Sequence, residues 1–347
     1  MKNPLMIKCI QFFILFTLVT SFSVKAQTTG FHLIRKTVIG GEGGWDYLFA
    51  DSQSRRLYVS HGDQVEVLNL DNHQKIGIIP NTKGVHGINT APELGRGFIT
   101  NGKSDNVTIF DLQTLQPIMM VPAGKNPDAL LYDKFSKKVF IFNNDSRDIT
   151  VIEAATGKVL TTFSVGGNPE AGVSDGKGLI YVNIEDTDEL VSFDAKTLSI
   201  KNKWKLSPGV QPNGIVLDKE THRLFSACRK NQLMMVLNSD NGEILSQLPI
   251  GKGVDGVIFD PKAKLIITSN GEGTLTVIHE DSATKFSQVE TVQTEAGART
   301  MTFDAKTQHV FLSTAKYGEA PAATAENPRP RRSILPGTFM ILEYGMN

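Results

Sequence analysis

Apolar and polar residues alternate along this chain in short runs that never settle into a helical period. Runs such as Val107-Thr108-Ile109-Phe110-Asp111, Ile149-Thr150-Val151-Ile152-Glu153 and Leu190-Val191-Ser192-Phe193-Asp194 repeat every second residue and close on an acid. That pattern, bounded by Asp, Asn and Gly, predicts strands joined by tight turns. An apolar triplet built around an aromatic or large aliphatic residue precedes each such run. It is found at Leu57-Tyr58-Val59, Gly97-Phe98-Ile99, Val139-Phe140-Ile141, Ile180-Tyr181-Val182, Leu224-Phe225-Ser226, Leu265-Ile266-Ile267 and Val310-Phe311-Leu312, with centres 40 to 45 residues apart. A fixed period of that size means stacked units of about four strands each.

Each unit opens on a further strand, for example Pro127 to Asp133 or Pro212 to Asp218, where a leading proline costs no ladder hydrogen bond. A fourth strand follows the alternating one, as at Lys158 to Val165 and Leu245 to Ile250. Inner strands therefore open at Trp45, Val85, Pro127, Pro169, Pro212, Val254 and Ala298. The last unit has only three strands, the third at Phe339 to Glu343, whereas Phe31 to Ile39 is strand-like and belongs to no unit. The prediction is an all-β, seven-bladed β-propeller of four-stranded blades, closed by Phe31 to Ile39 as the outer strand of the last blade. Closure of this kind protects the edges that an open array exposes.

The first 26 residues stand outside this pattern. Lys2 and Lys8 precede an apolar run from Cys9 to Val24, and Val24-Lys25-Ala26 puts small residues at minus three and minus one. This is the pattern of a cleavable secretory signal; the expected division is a signal peptide over 1–26 and one propeller domain over 27–347. No second apolar stretch long enough to span a membrane follows, and Cys9 lies too deep in the run to be a lipoprotein cysteine. The expected product is a periplasmic or secreted monomer, not lipid-anchored.

Cleavage also removes Lys2, Lys8 and Lys25 from 36 basic residues balanced by 36 acidic ones, leaving the mature chain slightly acidic. Such a balance argues against nucleic-acid binding. It leaves one cysteine, Cys228, so no intramolecular disulfide is expected, and the position suits a buried small hydrophobe better than a nucleophile.

Several second strands approximate the letters Tyr-Val-Thr-Asn: Phe98-Ile99-Thr100-Asn101 is nearest, with Tyr58-Val59-Ser60-His61, Phe140-Ile141-Phe142-Asn143 and Tyr181-Val182-Asn183 as weaker copies. With the Gly-x-x-Pro lead-ins at Gly124 to Pro127, Gly166 to Pro169 and Gly209 to Pro212, the chain resembles the YVTN-repeat family of secreted bacterial seven-bladed propellers, a WD40-like repeat architecture. The resemblance covers the chain from about Phe31 onward. It implies fold and export; it implies no single activity, because that family includes surface-layer proteins and possible nucleic-acid binders.

Alignment of the seven inner strands puts one polar residue in the same column of every blade: Asp46, His86, Asp128, Glu170, Asn213, Asp255 and Arg299, spaced by 40, 42, 42, 43, 42 and 44 residues. Inner strands line a propeller's channel, so these side chains are expected to ring one mouth as a ligand site. Four carboxylates so close together repel one another unless Arg299, His86 or a bound cation compensates. If a cation does so, Asp128→Asn with Asp255→Asn is expected to abolish its binding and to stabilise the ligand-free protein, whereas a merely solvated channel predicts small effects of both kinds.

Second-to-third-strand connections should emerge at the same mouth. In the last blade this connection is an insertion over 316–336, holding four prolines together with Arg329, Arg331 and Arg332, and it is expected to lie over the channel and bind anions or the acidic ring. Further rim candidates are His61, Asn101, Asn143, Asn144, Asp145, Glu185, Asp186, Arg229, Asn270 and Tyr317. His61 and His86 beside Asp46 make a candidate divalent-metal constellation, and Trp45 is a candidate stacking surface.

No nucleophile elbow, His-Glu-x-x-His, haem attachment or phosphate-binding glycine loop is present. The expected function is a binding or scaffold protein that holds a small molecule or a protein segment at the channel mouth. Two alternatives are a divalent-metal-dependent hydrolase, lactonase or lyase using the same ring, and a surface-layer structural protein.

Overall fold

A computed structural model describes residues 29–322, 324, 330 and 332–346; the expected signal sequence lies outside them. Seven antiparallel sheets of four strands each form a β-propeller. Blades 1 to 6 take their four strands in chain order from the channel outward. Blade 7 joins Met301–Asp304, His309–Thr314 and Met340–Gly345 to His32–Val38, which pairs antiparallel with Met340–Gly345 from Leu33 opposite Tyr344 to Val38 opposite Met340. The predicted closure by the N-terminal strand is therefore observed.

The burial of each strand follows its alternation. The second and third strands are covered on both faces, as in Lys138–Asn143 and Asp148–Glu153, while outer strands such as Val159–Ser164 are largely exposed. The core consists of seven clusters, each spanning two neighbouring blades. Between blades 3 and 4, for example, Phe140 and Phe142 pack with Ile180, Val182 and Phe193, and the Phe140 and Phe193 rings meet edge-on at 5.4 Å. A buried aromatic of this size contributes roughly 1.5–3 kcal/mol, so each blade is stabilised mainly by its two neighbours. Among the described residues no helix is long and apolar enough to cross a membrane.

The letters shared by the second strands are architectural. Asn101, Asn143 and Asn270 are buried, and each donates Nδ2 across its own hairpin: to Asn106 and Thr108, to Asp148 and Thr150, and to Thr274 and Thr276. None of the three reaches the channel rim as a free binding group. Cys228 is fully buried, and burial pushes its thiol up to about 12, which suits a packing residue.

Two details of the strand pattern differ from expectation. The inner strands of blades 1 and 7 begin only at Leu48 and Met301, because Asp46 and Arg299 sit in the irregular approach to the strand. The insertion of blade 7 also continues the sheet for a short distance. Tyr317 bridges Ile334, the Gly318 N–H donates to Ser333 O at 2.9 Å and the Leu335 N–H to Lys316 O at 2.9 Å.

Candidate functional site at the channel mouth

A backbone irregularity aims the ring side chains. In blades 2 to 6 the pairing of inner and second strands shifts register at the column position: between Val85 and Ile88, Pro127 and Leu130, Pro169 and Gly172, Pro212 and Ile215, and Val254 and Gly256. His86, Asp128, Glu170, Asn213 and Asp255 thus each lie in a β-bulge, a device that locally bends a strand and redirects a side chain. Side chains of the preceding blade hold several of these backbones. Thr100 donates to Asp128 O at 2.5 Å, Asn183 Nδ2 to Asn213 O at 2.8 Å and Thr300 to Asp46 O at 2.6 Å, while Ser269 donates to Arg299 O.

Acidic and basic side chains alternate around the mouth. His86 Nδ1 lies 3.5 Å from Asp128 Oδ1 and 2.6 Å from Asp46 Oδ2. Asp46 Oδ1 lies 3.6 Å from Arg299 Nη2, Arg299 Nε lies 2.5 Å from Asp255 Oδ2, and Arg229 Nη2 pairs with Asp255 Oδ1. The expected compensation of the acids is thus largely internal, and Arg229 supplies a second guanidinium from outside the aligned column.

The chain of pairs does not reach blade 4. Glu170 is only 6% exposed, and among the described residues it has no ion-pair partner. Its contacts are amides: Asn213 Nδ2 donates to Oε1 at 2.9 Å and Asn144 Nδ2 to Oε2 at 3.5 Å. Burial, with the charges of Asp128 and Glu185 next in weight, holds the Glu170 carboxyl well above the usual carboxylate range. Burial, followed by repulsion from Asp46 and Glu185, does the same to Asp128, against the opposing pull of Arg229 and Arg299. Burial and the nearby Glu170 carboxylate also raise the Tyr47 hydroxyl.

Asp46, Asp128, Glu170 and Asp255 line one cavity of about 1030 Å³, together with Tyr47, Asn144, Glu185, Arg229, Arg299, Tyr317, Arg332 and Ile334. His86 lines the adjoining recess with Lys103, Asp105 and Lys125. Asn213 lies behind the wall, fully buried, with Oδ1 lacking a partner among the described residues. The stem of the insertion closes one side of the cavity with Tyr317, Arg332 and Ile334. Gly297 permits this: its φ is +82°, and a Cβ there would come within 2.2 Å of the Tyr317 hydroxyl. Arg329 and Arg331 lie outside the described residues.

Two ring candidates are placed elsewhere. His61 is 2% exposed and stacks on Phe339 at 4.1 Å, beneath the 40–44 loop. Gly41 has φ +83°, and a Cβ there would sit 2.7 Å from His61 Cε1, so glycine lets the loop lie flat on the imidazole. Trp45 is buried against Tyr317 and Phe339, with centroids at 6.1 and 5.8 Å; its packing serves the core, although it borders the smaller recess. Among the described residues, one group presents three metal-type ligand atoms within 4.8 Å of one another: Asp46, His86 and Asp128. His61 is not part of it.

No family model matches this chain, and no curated protein matches it. Among solved structures, the chain is similar to the Kuenenia stuttgartiensis hydrazine synthase at 12% identity and a TM-score of 0.69, over 85% of this chain and 95% of that one. It is also similar to a chain of the mitotic checkpoint complex at 10% identity and a TM-score of 0.73, over 98% of this chain and 99% of the other. At such identities the likeness shows the fold alone: the chain is a seven-bladed β-propeller, an architecture shared by proteins with unrelated roles.

Proposed function

We propose that this protein is an exported binding propeller whose ligand sits in the channel mouth, with the ring residues as its contacts. The reading is supported by one observation above the others. Glu170, 6% exposed, faces a cavity of about 1030 Å³ with no ion-pair partner among the described residues, and Asp128, partly buried on the same cavity, pairs only with the His86 imidazole at 3.5 Å. Concave sites of this size with a few convergent polar groups are where small ligands bind. Export follows the pattern of residues 1–26 and the resemblance to the YVTN-repeat propellers. A thermal-shift screen of small molecules against the wild-type protein and Ala296→Trp tests the site, since Ala296 is exposed on the cavity wall. Ligands that stabilise the wild type and lose their effect in the variant support the mouth; ligands that stabilise both equally bind elsewhere.

A metal-dependent hydrolase or lyase is the second reading, favoured by the Asp46, His86 and Asp128 group. Its nitrogen and oxygen donors suit a borderline divalent ion, which would supply Lewis acidity next to the cavity. His86 Nδ1 would have to exchange its 2.6 Å contact with Asp46 for the ion. Metal analysis of the purified protein decides: about one chelator-sensitive ion per chain, lost in His86→Ala, supports this reading, and no bound ion removes it.

A further inference from the structure

Around the mouth, basic and acidic side chains alternate from Asp128 through His86, Asp46, Arg299 and Asp255 to Arg229, and among the described residues no such pair includes Glu170. Glu185, beside it on the same cavity, is held only by the Gln211 amide, whose Nε2 donates to Oε1 at 2.8 Å. Asp128 Oδ1 is buried and accepts no hydrogen bond among the described residues. One arc of the cavity therefore carries three carboxylates, and among the described residues no guanidinium or ammonium contacts Glu170 or Glu185.

We propose that this arc is the recognition site for a small organic cation bearing a primary ammonium or guanidinium group, with Glu170 as the anchoring carboxylate and Asp128 and Glu185 flanking it. The inference rests on the reading of the mouth as a ligand site and specifies its ligand class. Three observations support it besides the acids themselves. Glu170 is held in place from behind: Asn213, fully buried, gives its Nδ2 to Oε1 and keeps Oδ1 unpartnered, so the amide serves the carboxylate rather than a network of its own. Glu170 and Glu185 do not converge with Asp128 as a metal-type ligand set, because the three-residue group with ligand atoms within 4.8 Å of one another includes Asp128 but neither glutamate. Tyr47 and Tyr317 line the same cavity, and aromatic walls suit the alkyl stem of an organic cation as well as its charge.

Desolvated carboxylates bind such cations strongly, because removing one partner of a buried charge pair leaves the other uncompensated. The arc is also most attractive to a cation when Glu170 is ionised, and burial delays that ionisation. Affinity for an amine should therefore rise with pH from the acid range toward neutrality and above.

Calorimetric titration of the purified protein with putrescine, agmatine and spermidine tests the proposal, with succinate and glucose as anionic and neutral probes. At least one of the amines is expected to bind and to bind about thirtyfold more weakly to Glu170→Gln. Glu220→Gln, exposed in a turn between an inner and a second strand, should bind as the wild type does. If Glu170→Gln does not fold, Glu185→Gln is read instead, with an expected loss of about fivefold. Binding of succinate or glucose without any amine overturns the ligand class and leaves the mouth as a site. Amine binding that survives Glu170→Gln, Glu185→Gln and Ala296→Trp alike overturns the proposal together with the mouth reading. No binding by any of the three amines also overturns the proposal.

Discussion

The two arcs of the channel mouth solve the same electrostatic problem in opposite ways. On the side of blades 5 to 7, Asp255 is 8% exposed and sits between two guanidiniums, Arg229 and Arg299, each about a third exposed. On the side of blades 3 and 4, Glu170 is buried and Asp128 partly buried, with amides, a more distant imidazole and each other's charge for company. The comparison corrects an expectation drawn from residue types alone. Asp128→Asn with Asp255→Asn looks like the removal of two equivalent repelling charges, yet Asp255 is the shared partner of two cations, and its loss leaves Arg229 without an ion-pair partner among the described residues and Arg299 with Asp46 at 3.6 Å. Neutralising an acid relieves strain on one arc and creates it on the other.

The largest effect should come from breaking the compensated arc. Asp255→Asn is expected to destabilise the protein by about 2 kcal/mol in urea denaturation, less than a fully buried pair would cost because the two guanidiniums reach water. A neutral result would mean that the two arcs do not differ. Glu170→Gln should act in the opposite direction, stabilising the ligand-free protein by about 1 kcal/mol at pH 8 while keeping the bond from Asn213.

The pH dependence sharpens the contrast. Because the folded-state carboxyls of Glu170 and Asp128 are held above their unfolded values, their favourable contribution is complete below the ordinary carboxylate range. It is lost as pH rises through the raised folded values. Denaturation midpoints measured from pH 4 to pH 8 should therefore show a downward contribution in the wild type that Glu170→Gln with Asp128→Asn removes, so that the variant's advantage is absent at the acid end and grows with pH. The smallest effect is expected from Arg332→Ala. This residue is exposed on the cavity wall, and its removal should change the melting free energy by less than about 0.5 kcal/mol.

The architecture was legible because a propeller repeats its hydrophobic burden: each second strand must fill the gap between two blades, so Phe98, Phe140, Tyr181, Phe225, Ile266 and Phe311 return at a nearly constant interval. The ring column was legible for the same reason. Its electrostatics were not. Arg229 follows the second strand of blade 5, where alignment of inner strands cannot place it beside Asp255, and Tyr47 adjoins a column residue without sharing its pattern. The burial of His61 was equally hidden, since it depends on a glycine loop folding back over the imidazole through a left-handed turn. Spacing along a strand predicts neighbours within the repeat; contacts between irregular segments leave no period to read.

The bulges in blades 2 to 6 carry a consequence for how such a protein changes over time. At Asp128 and Asn213 the preceding blade holds the main-chain carbonyl, through Thr100 and Asn183, and not the side chain. Mutation at a bulge can therefore exchange acid for amide or base while the ladder on either side stays intact. The frame is separable from the side chains it presents, while those side chains depend on one another through pairs such as Asp255 with Arg229 and Arg299, so descendants of one ancestral ring can diverge in what they recognise by exchanging partners together on an unchanged backbone.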